Sequence, residues 1–297
     1  MMRGIIVSLP ILLPLAVAGF PEPSGCTAPS GYEDVLFCEL FSSPTLDTST
    51  WAYDIGSSYP GGPPQWGTGE VQTYTSSPSN IFIADSSLYI VPRSRNGTWT
   101  SSRIETTAAH DFSCPEDGKM LVEGRVKLSG APASTQAGIW PAFWLLGSAY
   151  RGLYTNWPSV GEVDVLESPN GQQRTWHTAH CGEAEGGPCN EPVGLGDSTA
   201  LSRSLWNTLG LEIDRSSSPQ KMTWYINHFP SFVLTEEDVG DERSWAALAA
   251  EPKMMLLNVA VGGAFPDAIA ERKTPDESTK GGKGAAMQVD YVAVYST

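Results

Sequence analysis

Three acids in the segment Trp157-Pro-Ser-Val-Gly-Glu162-Val-Asp164-Val-Leu-Glu167-Ser have the types and spacing to do chemistry. On a regular strand Glu162 and Asp164 share a face, because side chains repeat every second residue. Glu167 falls at an odd offset from both and would point into the core, where an unpaired carboxylate is costly. One extra residue at Val165-Leu166, a β-bulge, returns Glu167 to the acidic face and turns both apolar side chains inward. The two glutamate Cα atoms then lie roughly four strand steps, or ~13 Å, apart. Each side chain leaning inward by ~4 Å leaves the carboxyl groups near the ~5–5.5 Å of a pair that cleaves a glycosidic bond with retention. One carboxylate would attack the anomeric carbon while the other protonates the leaving oxygen. Asp164 between them can hydrogen-bond a glutamate and hold their charge states apart. The competing reading is a solvent-facing acidic strand.

The flanking residues favour a site. In GIWPAFWLLG, Trp140 and Trp144 stand four residues apart on one strand face. Tryptophans commonly fill core, but two on a polar face can stack on the flat C–H faces of sugar rings.

The elements that must position these groups are strands. VEGRVKL places Val122, Gly124, Val126 and Leu128 on one face and Glu123, Arg125 and Lys127 on the other. LGLEIDR, MTWYINHF, MMLLNVAVGG and MQVDYVAVY are similar in length and rich in β-branched or aromatic residues. PGGPP, SSSP and KGGKG punctuate them, and Asp241 to Ala250 is the one good helix candidate, with acids early and Pro252 beyond. No repeat or linker divides the chain. The pattern predicts an all-β sandwich of many short strands.

Composition narrows the partner. With 18 basic and 33 acidic residues, net charge −15, and no Lys/Arg cluster, nucleic acid and anionic membrane surfaces are disfavoured. Ten Trp and ten Tyr suit a neutral, ring-shaped ligand. Arg3, an apolar run from Ile5 to Leu15 and Ala16-Val17-Ala18 predict a cleaved secretion signal over residues 1–18. The alternative, a membrane anchor, is opposed by the short run and by Pro10 and Pro14. Residues 19–297 would form a single secreted, extracellular domain acting as a monomer. Of five cysteines, Cys181 and Cys189 flank the turn-rich GEAEGGP and are the first expected disulfide. Cys26 with Cys38 is the second, leaving Cys114 unpaired. Asn96-Gly97-Thr98 is the only N-glycosylation acceptor pattern.

GIWPAFWLLG followed by WPSVGEVDVLES resembles the laminarinase-type branch of glycoside hydrolase family 16, especially its secreted fungal members. Further matching blocks run along the chain: WGTGEVQTYTSSPSNIFI, SSRIET, CGEAEGGPCNEPVGLG, MTWYINH, LLNVAVGGAFPD and MQVDYVAVY. The resemblance implies a concanavalin A-like jelly roll with an open substrate cleft on its concave sheet, and endo-acting hydrolysis with retention. It assigns Glu162 as nucleophile, Glu167 as general acid/base and Asp164 as assisting carboxylate. It matches Trp140 and Trp144 to cleft tryptophans, and Glu70 and Gln72 to a substrate loop. Arg103, with Glu105 on the same face, would reach sugar hydroxyls; the structural alternative for it is an ion pair with Glu105 or a nearby acid.

His177 aligns with a family histidine near the cleft and is expected to touch substrate, whereas His180 is expected to be structural. A zinc pair is opposed by their spacing, since residues three apart on a strand face opposite ways. The resemblance implies no cofactor for catalysis; some relatives bind a structural calcium through a last-strand aspartate that Asp290 matches. Thr68, Asn207 and Ala264 depart from residues many relatives carry and leave the sugar open. The expected substrate is a neutral β-1,3- or mixed β-1,3/1,4-glucan. An endo-β-1,3-galactanase is the alternative within the enzyme class, transglycosylation a variant, and a non-catalytic lectin-like module the alternative of another class.

Overall fold

The computed structural model describes residues Cys26 to Thr297, so the secretion signal expected over residues 1–18 lies outside it. Two antiparallel sheets stack face to face in a jelly-roll sandwich. The seven-stranded sheet runs, edge to edge, Leu195–Ala200, Arg174–His180, Glu162–Glu167, Ile139–Gly147, Lys253–Val261, Arg103–Thr106 and Trp51–Tyr53. The other sheet runs Phe229–Thr235, Lys221–Ile226, Asn207–Asp214, Lys119–Leu128, Met287–Ser296, Ser87–Ile90 and Ile81–Ala84. Asp34–Glu39 also pairs with Met287–Ser296.

Period-two patterning builds the core between the sheets. Along Lys119–Leu128 every second residue is buried, and Val122, Gly124, Val126 and Leu128 face inward as the alternation predicts. Gly124 has a packing reason: a Cβ there would come within 2.8 Å of the Phe143 ring from the facing sheet. Lys253–Val261 is buried along its whole length. Met255, Leu257, Val259 and Val261 join the core between the sheets, while Met254 and Leu256 join a smaller aromatic-rimmed cluster beside the cleft.

One expectation about a strand is corrected. MTWYINHF is not one strand but a hairpin, because Asn227 and His228 both adopt left-handed conformations, with φ of 51° and 68°, and turn the chain between Lys221–Ile226 and Phe229–Thr235. The expected helix is present as Glu242–Ala249, with Asp241 capping it by accepting from Ser244 N. Two further short helices, Glu236–Val239 and Ala264–Ala270, accompany it. The first holds a reciprocal cap between Thr235 and Asp238, a local signal overshadowed by the strand before it.

Both expected disulfides are present, Cys26–Cys38 and Cys181–Cys189. Cys114 is unpaired and buried, and burial pushes its thiol up to about 12, so it stays protonated.

Candidate active site

The bulge is where the carboxylate spacing requires it. Against the Ile139–Gly147 strand, Asp164 pairs with Trp144 and Leu166 with Phe143, so Val165 is the extra residue. Against Arg174–His180, Glu162 lies opposite His180, Asp164 opposite Thr178 and Glu167 opposite Trp176. Opposed residues share a face, so all three acids project outward while Val165 and Leu166 are fully buried.

They open into a pocket of about 180 Å³, lined also by Trp140, Trp144, Trp157, Glu70 and Arg103. Trp140 Nε1 donates to Glu167 Oε1 at 2.9 Å, and Trp144 Nε1 donates to Asn258 Oδ1 at 2.7 Å. Both tryptophans therefore fix polar groups of the cleft as well as presenting rings to it. Trp157 is hydrogen-bonded to Glu162.

Arg103 lines the pocket with its guanidinium already engaged. Its Nε donates to Asp54 at 2.8 Å and Nη2 to the Tyr59 hydroxyl at 3.2 Å. The guanidinium carbon sits 4.7 Å from the Trp66 ring centre and 4.8 Å from that of Trp144, a cation–π stack. The ion pair anticipated as the structural alternative is thus realised, with Asp54 as partner. Glu105 instead pairs with Arg151 at 3.3 Å.

Glu70 is buried in a network of its own. It accepts from Thr68 Oγ1 at 2.8 Å, Gln72 Nε2 at 2.6 Å and Tyr74 Oη at 2.8 Å. Thr68 thus reaches a pocket-lining acid, whereas Asn207 lies on the opposite sheet, donating to Ser202 O and Leu205 O away from the pocket.

The two histidines sit the other way round from the expectation. His177 does not face the cleft: its register places it on the core side, 1% exposed, between Val165 O at 2.9 Å and Ser231 Oγ at 3.0 Å. His180, expected to be structural, faces the acids, with Nε2 3.6 Å from Asp164 Oδ2. Its Nδ1 is 2.8 Å from Glu191 Oε2. The signal for this was the even spacing of Trp176, Thr178 and His180, which sets all three opposite the outward acids. Glu191 gave no such signal, because a loop brings it back from outside the sheet.

The electrostatics divide the acids. Burial, then the charges of Glu167, Glu162 and Glu191, hold Asp164 well above the usual carboxylate range. A neutral carboxyl can donate a hydrogen bond to a neighbouring carboxylate. Burial raises Glu167 to about 7, with Glu162 adding to the rise and His180 and the Trp140 N–H opposing it. Burial also raises Glu162, but two cations, His180 and Arg103, act to ionise it. One acid that holds its proton near neutrality beside another served by two cations is the arrangement of a proton donor and a nucleophile.

The residues that could ligate a metal are engaged with other protein groups. Among the described residues, Glu162, Asp164 and His180 are the one group of three whose ligand atoms converge, within 4.8 Å. Burial pulls His180 down, but the Glu191 bond and the nearby carboxylates outweigh it and raise its pKa. The doubly protonated ring that this favours has no lone pair for an ion. Asp290, matched to a calcium ligand, is already paired with Arg125 at 2.8 Å.

The comparisons agree with this geometry. Residues 126–198 match the family description "XgeA-like, catalytic GH16 domain". The chain is 41% identical to an endo-1,3-beta-glucanase from Streptomyces sioyaensis of known structure, covering 91% of this chain and 98% of that one, with a TM-score of 0.85. The chain belongs to glycoside hydrolase family 16. It is 28% identical, over 88% of its length, to glucan endo-1,3-beta-glucosidase A1 of Niallia circulans. It is 27% identical, over 90%, to the keratan-sulfate endo-1,4-beta-galactosidase of Sphingobacterium multivorum. It spans 38% and 56% of the lengths of these two curated relatives.

Proposed function

We propose that the protein is a secreted glycoside hydrolase that cuts internal β-1,3 linkages of a neutral β-1,3- or mixed β-1,3/1,4-glucan with retention. The observation that carries this reading is the single-residue bulge at Val165, which sets Glu162 and Glu167 on the same face around Asp164. Glu162 attacks the anomeric carbon as Glu167 gives its proton to the departing oxygen. Glu167, now ionised, takes a proton from water, and that water releases the sugar from Glu162. Asp164, whose proton affinity burial and the neighbouring acids raise, stands between the two glutamates as the assisting carboxyl group. Trp140 and Trp144 flank the sugars, while Arg103 and Glu70 line the adjoining wall.

Residues 19–297 would act as one catalytic domain. Export is supported by the N-terminal pattern and by two disulfides, which persist in oxidising compartments. Asn96 sits exposed in the turn between Arg93–Arg95 and Thr98–Ser101, open to glycosylation.

Digestion of laminarin, mixed-linkage glucan and β-1,3-galactan, with products mapped and their anomeric configuration followed by proton NMR, tests the reading. Oligosaccharides from the glucans with the β-configuration first-formed are expected. The galactanase is the alternative within the enzyme class, and products from galactan alone would establish it. Glu162→Gln should abolish cleavage; equal activity in the variant and the wild type would remove the catalytic assignment. The acid/base variant Glu167→Ala should recover turnover with added azide on a substrate bearing a good leaving group, which needs no protonation.

A further inference from the structure

Glu191 stands behind the pocket and reaches it through one ring. Its Oε2 lies 2.8 Å from His180 Nδ1, and its Oε1 accepts the backbone N–H of Cys181 at 2.9 Å. On the far side of the ring, Nε2 is 3.6 Å from Asp164 Oδ2, a buried atom with no hydrogen-bond partner. The Trp157 ring lies 5.7 Å from the imidazole, and Glu162 and Glu167 are the other charges acting on it. The Glu191 carboxylate bonded at one nitrogen, with the charges of Glu162 and Glu167 nearby, favours the doubly protonated ring.

A covalent loop brings Glu191 there. Cys181 directly follows His180 and is bonded to Cys189, two residues before Glu191. Backbone hydrogen bonds between Gly186 and Glu191, at 2.9 and 2.7 Å, close the same loop. The chain leaves the sheet at His180, turns through the disulfide and returns its carboxylate to the ring it has just left.

We propose that Glu191 is a positioning residue for catalysis, holding His180 as an imidazolium against Asp164 and Glu162, and that the Cys181–Cys189 disulfide keeps it within reach. The proposal rests on reading the pocket as a retaining glycosidase site. The imidazolium favours ionised Glu162, the form that attacks; a neutral ring would let Glu162 keep its proton to higher pH. Oxidation of the disulfide is thereby coupled to the pH range in which the site works.

Two variants test this. Glu191→Gln keeps the shape and an acceptor for the Cys181 N–H, and the double variant Cys181→Ser/Cys189→Ser opens the loop. The first measurement is the titration of His180 by imidazole nitrogen NMR, tractable because the chain has four histidines. The second is kcat/KM against pH on laminarin. In both variants His180 should titrate at lower pH and the acidic limb should move up. In Glu191→Gln, kcat/KM at pH 5 should fall roughly three- to tenfold, mostly in kcat, with the melting temperature kept. Unchanged His180 titration and an unchanged profile in Glu191→Gln would overturn the proposal. A folded double variant with wild-type behaviour would remove the disulfide from it; if that variant does not fold, Glu191→Gln decides alone. Should the wild type cleave no β-glucan, the glycosidase reading fails, while the His180 titration still judges Glu191.

Discussion

His177 Nδ1 lies 2.9 Å from the carbonyl oxygen of Val165, the one residue of its strand without a register partner on either side. A carbonyl can only accept, so Nδ1 carries the proton, and Nε2 accepts from Ser231 Oγ at 3.0 Å. Burial pushes the imidazole down to about 4, which keeps this neutral arrangement through the working pH range. A core histidine thus ties down the bulge that turns Glu167 outward. His177→Phe should cost about 1–3 kcal/mol, measured by urea unfolding, because it orphans a buried carbonyl. It should also lower kcat more than it raises KM. His177→Asn, whose amide nitrogen falls near the place of Nδ1, should recover part of both; a fully active His177→Phe would contradict the role.

Trp140 both lines the pocket and bonds one of its acids. Its N–H, 2.9 Å from Glu167 Oε1, favours the ionised glutamate and so opposes the burial that raises Glu167 to about 7. Trp140→Phe keeps an aromatic ring beside Phe265 but removes the donor. The Glu167 proton should then be held to higher pH, moving the basic limb of kcat/KM upward. A profile measured between pH 4 and 9 would reveal the shift, and a downward move would show that the bond is not made in solution.

The outward acids, the bulge and the alternating strands were legible because each follows from period-two geometry or from the cost of burying an unpaired charge, and the disulfides because each cysteine pair flanks one short segment. Arg103 was only half legible: its face followed from alternation, but its partner Asp54 lies 49 residues away in sequence. His177 and His180 were exchanged because alignment to a motif was followed instead of register, which sets His180 opposite Glu162. Glu191 was hidden for a different reason. Loop closure through a disulfide carries no periodic signature, so its approach to His180 emerges only in three dimensions.

Gly161 shapes the entry to the acidic strand. It adopts φ of +74°, and a Cβ there would lie 2.3 Å from the Ala247 carbonyl oxygen, a backbone atom of the Glu242–Ala249 helix. Neither the left-handed backbone nor the contact can relax without moving Glu162, the next residue in the chain. Gly161→Ala should therefore destabilise the fold by more than ~1 kcal/mol in chemical denaturation. Residual folded enzyme should show reduced kcat. Gly97→Ala, in an open turn at φ of +80° with nothing near its Cβ, serves as the control and should lose stability while keeping kcat.

Glu167 also links activity to stability. Its pKa rises from 4.5 to about 7 on folding, chiefly through burial, so between these values the folded chain holds more proton than the unfolded one. Stability from this group is fully present below pH 4.5 and is lost as pH rises toward 7. The penalty above pH 7 is on the order of 3 kcal/mol. Glu167→Gln replaces the acid by a neutral group of the same shape and should abolish that part of the pH dependence. Thermal melting would then show the variant more stable than the wild type at pH 8 and close to it at pH 4.5. A variant less stable at both values would mean that ionised Glu167 is solvated well enough in the folded cleft to escape the penalty.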